Sequence, residues 1–334
     1  MQKYDHTNIK IRDAHGNKGM VSSGSKHASE AGAEVLREGG NAVDAAVATS
    51  LALSVAATPF SGIGGGGFMM IHMADQNKSV MIDYRENAPQ LAKGNLFDLD
   101  VENNVINEQN HLGEKAAAVP GTFAGMSLAL EKFGTMKLSQ VAKQAIDLGK
   151  NGFEVTPFLD WVMSTDSDLA LTKFNRSEEA SSLWLKSDGS TYKTGETKKN
   201  VAMAETIERV SEKGIQEFYE GFVAENAEKH MIANGGPIRA KDFSLYKPVM
   251  RIPITGRFND FNYVTSAPPS SGGIALHQLL TIFQDMDLAS SGHNTVETID
   301  KMSRVLKQVY VARDLIADPD YENIDSKKFT STEF

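Results

Sequence analysis

Ser61-Gly62-Ile63-Gly64-Gly65-Gly66-Gly67-Phe68 lies between an apolar run ending at Ala57 and a β-rich stretch from Phe68 to Met73. Gly62, Gly64 and Gly67 formally satisfy G-x-G-x-x-G. A dinucleotide site needs that motif after a strand and at the start of a helix, so that the helix N-terminus faces the pyrophosphate. Here the order is reversed. Upstream, Ala42 to Ala57 is rich in small apolar residues, Asn41 is placed to cap it as a helix, and Pro59 stops it. Before that, Ala28, Ala31, Gly32, Val35 and Leu36 recur at helical spacing over Ser25 to Leu36, and Gly39-Gly40 supplies the C-terminal cap. Downstream, Phe68 to Met73 and Ser79 to Tyr84 read as two strands about the turn Asp75-Gln76-Asn77-Lys78. Two helices followed by a hairpin predict an α+β fold with an antiparallel sheet rather than alternating βαβ units. A strand directly before Gly62 would revive the nucleotide reading. The glycines otherwise serve close backbone packing, or line a substrate site.

Further along, Asn103 to Asn110 is polar and reads as a loop. Gly125 to Phe133, Leu138 to Lys150, Thr206 to Lys213, Phe222 to Ala233, Ile274 to Phe283 and Thr298 to Ile316 read as helices. In the last, Ile299, Met302, Leu306, Val309 and Tyr310 form one apolar stripe. Val249 to Thr255 and Phe261 to Ser266 read as strands. Residues 186–200, rich in Ser, Thr, Gly and Lys, read as a long surface loop within a single domain over 1–334. There is no internal repeat.

The chain has 334 residues, 41% of them hydrophobic and 23% charged, which is ordinary globular usage. A net charge of -9, with Lys/Arg runs no longer than Lys198-Lys199 and Lys327-Lys328, argues against a nucleic-acid partner. With no cysteine there is no disulfide, Cys nucleophile or Cys-ligated zinc. The eight histidines are scattered and none forms H-E-x-x-H, so no metal or cofactor is expected. No serine stands in G-x-S-x-G. The longest apolar stretch, Ala45 to Ala57, is shorter than the roughly 20 residues a membrane span requires. Met1 to Gly19 is polar and lacks a signal-peptide core.

Arg85, in Asp83-Tyr84-Arg85-Glu86-Asn87-Ala88-Pro89, follows the second strand. It is either a surface arginine paired with Asp83 or Glu86, or an anion clamp that grips a carboxylate through two parallel hydrogen bonds. Pro268-Pro269-Ser270-Ser271-Gly272-Gly273 is a stiff turn and helix cap, or a segment whose hydroxyls face a pocket. Asp318-Pro319-Asp320 is a turn or a cation site. By this route the residues yield a soluble α/β-type domain with a glycine-rich loop and one arginine of interest, and they do not reach a function.

Taken together, a series of segments resembles the γ-glutamyltransferases, also called γ-glutamyltranspeptidases. They are Ala28-Ser29-Glu30, Gly39-Gly40-Asn41-Ala42-Val43-Asp44-Ala45-Ala46-Val47-Ala48, Ser61 to Phe68, Asp83-Tyr84-Arg85-Glu86, Val119-Pro120-Gly121-Thr122, Gly152-Phe153, Phe218-Tyr219-Glu220-Gly221, Pro268 to Gly273 and Asp318-Pro319-Asp320-Tyr321. All run in family order. The resemblance implies an N-terminal nucleophile hydrolase, a four-layer αββα sandwich of which this chain is the large-subunit portion. In that family a precursor cuts itself in two. The new N-terminal threonine of the small subunit attacks the γ-amide of glutathione or a related donor, with its own amino group as base. Small-subunit N–H groups stabilise the oxyanion. The γ-glutamyl ester then passes to water or to an amino-acid or peptide acceptor. Arg85 matches the arginine that binds the donor's α-carboxylate, and the glycines support the sheet beside it. A depolymerase of poly-γ-glutamate within the same family is an alternative, and so is a truncated, non-catalytic γ-glutamyl-binding product.

Two departures stand out. The Thr-Thr-His nucleophile motif is absent, and Thr330 and Thr332 do not reproduce it, so no catalytic residue is expected on this chain. Ala317 replaces the glycine common before Asp-Pro-Asp. The partner implied is therefore a small subunit carrying the catalytic threonine. Export to the periplasm or exterior is implied too, with the cytoplasm left open.

Overall fold

The computed structural model describes residues 14–164 and 171–331, and the side chains of 171 and 172 lie outside the description. Much of the Met1 to Gly19 stretch, and Thr332, are thus outside the described residues. The chain divides into two compact units, one formed by Met1–Ile63, Pro89–Ala117 and Met126–Ser244, the other by Gly64–Ala88, Ala118–Gly125 and Leu245–Phe334.

The first unit is helical. Its centre is the helix Ala42–Ala56, which buries side chains on nearly every face. Only small or apolar residues allow that, and the two buried hydroxyls, Thr49 and Ser54, donate back to the carbonyls of Ala45 and Ser50. The helix Lys26–Arg37 packs beside it through Ala28, Ala31 and Val35. Gly39, at φ 93°, makes the left-handed exit expected of a glycine there. Asn41 caps the next helix as its sequence implies: its Oδ1 accepts from the amides of Val43 (2.8 Å) and Asp44 (3.1 Å), and Asp44 Oδ2 accepts from Asn41 N–H (2.8 Å). Asp44 is fully buried and goes further. It takes the Thr135 amide (3.0 Å) and hydroxyl (2.6 Å) and the Met136 amide (3.1 Å). Asn41 Nδ2 donates to the Phe133 carbonyl at 2.6 Å, an acceptor left without an intrahelical partner at the end of Thr122–Phe133. One Asn/Asp pair thus ties a helix start to a helix end.

Several readings shift in detail. Leu138 to Lys150 is two helices, Leu138–Val141 and Lys143–Asn151. The stretch 186–200 is not loop throughout. Thr197–Lys198 forms a short strand against Phe153–Glu154, and Lys198 is only 2% exposed. Its ammonium donates to the Leu183 carbonyl (2.6 Å) and lies over the rings of Trp184 and Tyr192. Burial pushes it down to about 8.

The second unit contains the three-stranded sheet and one two-stranded sheet. Strands β1 (Phe68–Met73) and β2 (Lys78–Asp83) form the expected hairpin, with Phe68 opposite Asp83. With β3 (Phe153–Glu154) and β4 (Thr197–Lys198) in the first unit, the next strand is β5 (Val249–Arg251), which pairs antiparallel with β2 and sets Met81 opposite Arg251. The strand read over Val249 to Thr255 is really two. Pro253 has no N–H to offer a ladder, and pairing resumes at β6 (Ile254–Phe258), which joins β7 (Phe261–Thr265) in a separate two-stranded sheet.

The helices Ser271–Gln284 and Val296–Arg313 pack together around Ile274, Ala312 and Phe329. The apolar stripe behaves otherwise than its periodicity suggests. Val305, Val309 and Ala312 are buried, but Ile299, Met302, Leu306 and Tyr310 are exposed, Tyr310 by 56%. Phe261 on β7 (75%) and Ile252 (91%) face outward too. Among the described residues no helix is long and apolar enough to cross a membrane.

Candidate functional site

Arg85 stands two residues past the end of β2, and its side chain is exposed. Among the described residues no carboxylate pairs with its guanidinium. Of its two acidic neighbours in sequence, Asp83 is engaged elsewhere, and Glu86 is exposed and forms no ion pair among the described residues. Asp83, 6% exposed, gives Oδ2 to Arg251 Nε at 2.6 Å and Oδ1 to the backbone N–H of Arg85 at 3.1 Å. Arg251 in turn grips Asp320 with both terminal nitrogens (3.2 and 2.7 Å) and reaches Asp318 at 3.5 Å. Opposing charges and hydrogen bonds from Asp320 and Asp83 hold the Arg251 guanidinium charged against its burial. Asp318 and Asp320 are thus ligands of an arginine, not of a cation. A shallow cleft of about 60 Å³ is lined by Asp83, Arg85, Tyr246, Arg251, Asp320 and Tyr321, among others.

The glycine run backs this arginine. Gly67 exchanges two backbone hydrogen bonds with Tyr84, at 2.9 and 3.2 Å. A Cβ on Gly66 would stand 2.5 Å from the Tyr84 carbonyl oxygen and 2.8 Å from the Glu86 amide. On Gly121 it would overlap both the Tyr84 carbonyl and the Tyr246 hydroxyl. These glycines let two loops close on the backbone that carries Arg85, and the helix-before, strand-after order removes the nucleotide reading. Gly121→Ala should displace that backbone and destabilise the fold by roughly 1–3 kcal/mol, which thermal unfolding checks.

The other singled-out segments lie apart from the cleft. The Pro268-Pro269 peptide is cis, and Ser270 begins the helix Ser271–Gln284 while accepting from the Ser266 hydroxyl at 3.0 Å. The Thr330 carbonyl accepts from His277 Nε2 at 3.1 Å. Two residues of the cleft, Tyr246 and Arg251, were not singled out from the sequence. Arg251 left one faint sign, a charge between Met250 and Ile252 in an otherwise apolar strand.

Residues 28–334 match the family model described as gamma-glutamyltranspeptidase. A glutathione hydrolase proenzyme of Escherichia coli (strain K12) is 36% identical over 314 residues, 94% of this chain and 53% of that protein. The crystal structure of Helicobacter pylori gamma-glutamyltranspeptidase is similar with a TM-score of 0.90 at 34% identity, covering 96% of this chain and 90% of that one. The Bacillus anthracis transpeptidase enzyme CapD is similar with a TM-score of 0.75 at 28% identity, covering 96% and 98%. The chain spans about half the length of the curated relatives it matches. It therefore belongs to the γ-glutamyltranspeptidase family and has that family's N-terminal nucleophile hydrolase fold.

Proposed function

We propose that this chain is the large subunit of a γ-glutamyl transferase or hydrolase in which Arg85 binds the α-carboxylate of the donor and a threonine on a separate small subunit attacks its γ-carbonyl. The observation that carries the reading is the exposed guanidinium just past β2, which has no ion pair among the described residues while Asp83 is held by Arg251. A guanidinium so placed presents two parallel donors to a carboxylate and fixes an amino-acid head group in one orientation. The threonine oxygen bonds to the γ-carbon, the donor's amine leaves with a proton, and the ester is then cleaved by water or an acceptor amine.

Three observations support the missing half. Curated relatives at about twice this length, those of Escherichia coli and Pseudomonas sp. among them, carry proenzyme names. The sheet β6–β7 has only two strands among the described residues, which is marginal by itself. Phe261, Ile299, Met302 and Tyr310 are large apolar side chains exposed to solvent, as interface residues are before their partner covers them. A small subunit over these groups completes both the fold and the chemistry. The single-domain reading of 1–334 belongs with this proposal, as an assembly unit that is complete only with its partner.

The poly-γ-glutamate reading has one observation in its favour, the similarity to CapD, set against the higher TM-score to the Helicobacter pylori enzyme. Glutathione-like donors are therefore preferred, and the resemblance to exported enzymes supports action outside the cytoplasm, testable by cell fractionation. The test is to purify the complete gene product, determine the N-terminal sequence of whatever co-purifies with this chain, and assay glutathione and poly-γ-glutamate as donors. A partner beginning with threonine and turnover of glutathione are expected. No partner, or one without that threonine, overturns the proposal.

A further inference from the structure

We propose that Tyr246 and Arg251 are positioning residues that set the Arg85 guanidinium for the donor. This inference rests on the reading of Arg85 given above. Backbone pairing on either side of Arg85 leaves a gap. Tyr84 is paired with Gly67 (2.9 and 3.2 Å), and Asn87 is paired with Val119 (2.8 and 3.2 Å). Among the described residues, no backbone group bonds the N–H or C=O of Arg85. Two side chains hold that peptide instead. Asp83 Oδ1 accepts the Arg85 N–H at 3.1 Å, and the Tyr246 hydroxyl donates to the Arg85 carbonyl at 2.9 Å. An exposed arginine beyond the end of a strand would otherwise sample many directions. Fixing its backbone at both polar groups removes part of that freedom before the donor arrives.

Arg251 acts one step back, in two ways. Its Nε–H bond of 2.6 Å to Asp83 Oδ2 orients the carboxylate that holds the Arg85 N–H. It also occupies the aspartates of the cleft, which would otherwise compete for Arg85, while Glu86 stays exposed to solvent. Asp83 is two residues from Arg85, and Asp320 lines the same cleft, yet both are spent on Arg251. Without Arg251 the cleft's aspartates would be free to pair with Arg85, in direct competition with the donor's carboxylate. Tyr246 reaches its place because Gly121 has no Cβ. Two glycine-bearing motifs and the Asp-Pro-Asp turn thus converge on one peptide group.

The experiment uses the complete two-chain enzyme with a γ-glutamyl donor bearing a free α-carboxylate and with its α-carboxamide analogue. Tyr246→Phe removes one hydroxyl and keeps the ring. Arg251→Met frees the carboxylates, and Arg251→Lys restores the charge without the fork. For the carboxylate donor, Tyr246→Phe and Arg251→Met are expected to raise KM about five- to tenfold with kcat within about twofold, and Arg251→Lys to recover part of the loss. With the carboxamide analogue, which gives Arg85 no anion to hold, the variants should match wild type. In an Arg85→Ala background Tyr246→Phe should add nothing. Additive losses in that background, equal losses with both donors, or a fall in kcat at unchanged KM would each overturn the inference. If Arg251→Met fails to fold, Tyr246→Phe decides alone. An Arg85→Ala enzyme with unchanged KM is a different result: it removes the reading of Arg85 itself, and this inference with it.

Discussion

Replacing Arg85 by alanine in the assembled enzyme is expected to lower kcat/KM about thirtyfold, a loss of about 2 kcal/mol, expressed mainly as a raised donor KM. Arg85 is exposed and has no ion pair of its own among the described residues, so its removal leaves no orphaned carboxylate in this chain. The variant should therefore fold and assemble normally, and the whole effect should fall on the donor. The size is set by how far the partner subunit and the donor exclude water from the pair, since an exposed pair is worth little and a desolvated one several times more. Arg85→Lys keeps the charge but offers a point instead of a fork, and about a fivefold loss is expected. If KM does not change in Arg85→Ala, the guanidinium does not hold the donor.

Asp44 is expected to be the most costly single polar side chain to remove from the first unit. It is fully buried and accepts from Asn41, Thr135 and Met136. Asp44→Ala strands those donors and removes half of a capping box, at a cost of about 3 kcal/mol. That corresponds to roughly 6–12 °C in the unfolding midpoint of a unit this size, readable by calorimetry of the complete enzyme. Asp44→Asn is no rescue, because its amide group would face donors with donors. Burial alone raises this carboxyl, but the bonds from Thr135, Asn41 and Met136 outweigh burial and hold it below its ordinary 3.8. The unfolded chain therefore binds this proton at a higher pH than the folded one. The stabilisation is fully present above the ordinary carboxylate range and is lost as pH falls through the lower, folded value. A wild-type denaturation profile that flattens below pH 4 in Asp44→Asn checks the sign. Equal acid sensitivity in both proteins removes Asp44 from the account.

Local rules made some of the site legible and not the rest. Asn41, Gly39 and the Phe68 to Asp83 hairpin follow from capping and period-two patterning, which depend on neighbours in sequence. The placement of Arg85 just past a strand followed likewise. Nothing local shows that Asp83 prefers Arg251, which lies 168 residues away, over Arg85, which lies 2 away. Nor does the stripe Ile299, Met302, Leu306 and Tyr310 reveal which way it faces. Periodicity shows that an apolar face exists, but not whether its cover is in the same chain.

For this protein the sequence alone established the α+β order of elements, the family and the arginine at the strand end, because each is encoded in short, contiguous residue patterns. Tertiary structure alone decided that Arg85 has no ion pair among the described residues, that Asp83, Arg251 and Asp320 form one charge network, and that Gly66 and Gly121 serve the backbone beneath it. Those facts depend on which distant groups meet when the chain closes. A guanidinium is available to a ligand only if the carboxylates around it do not pair with it.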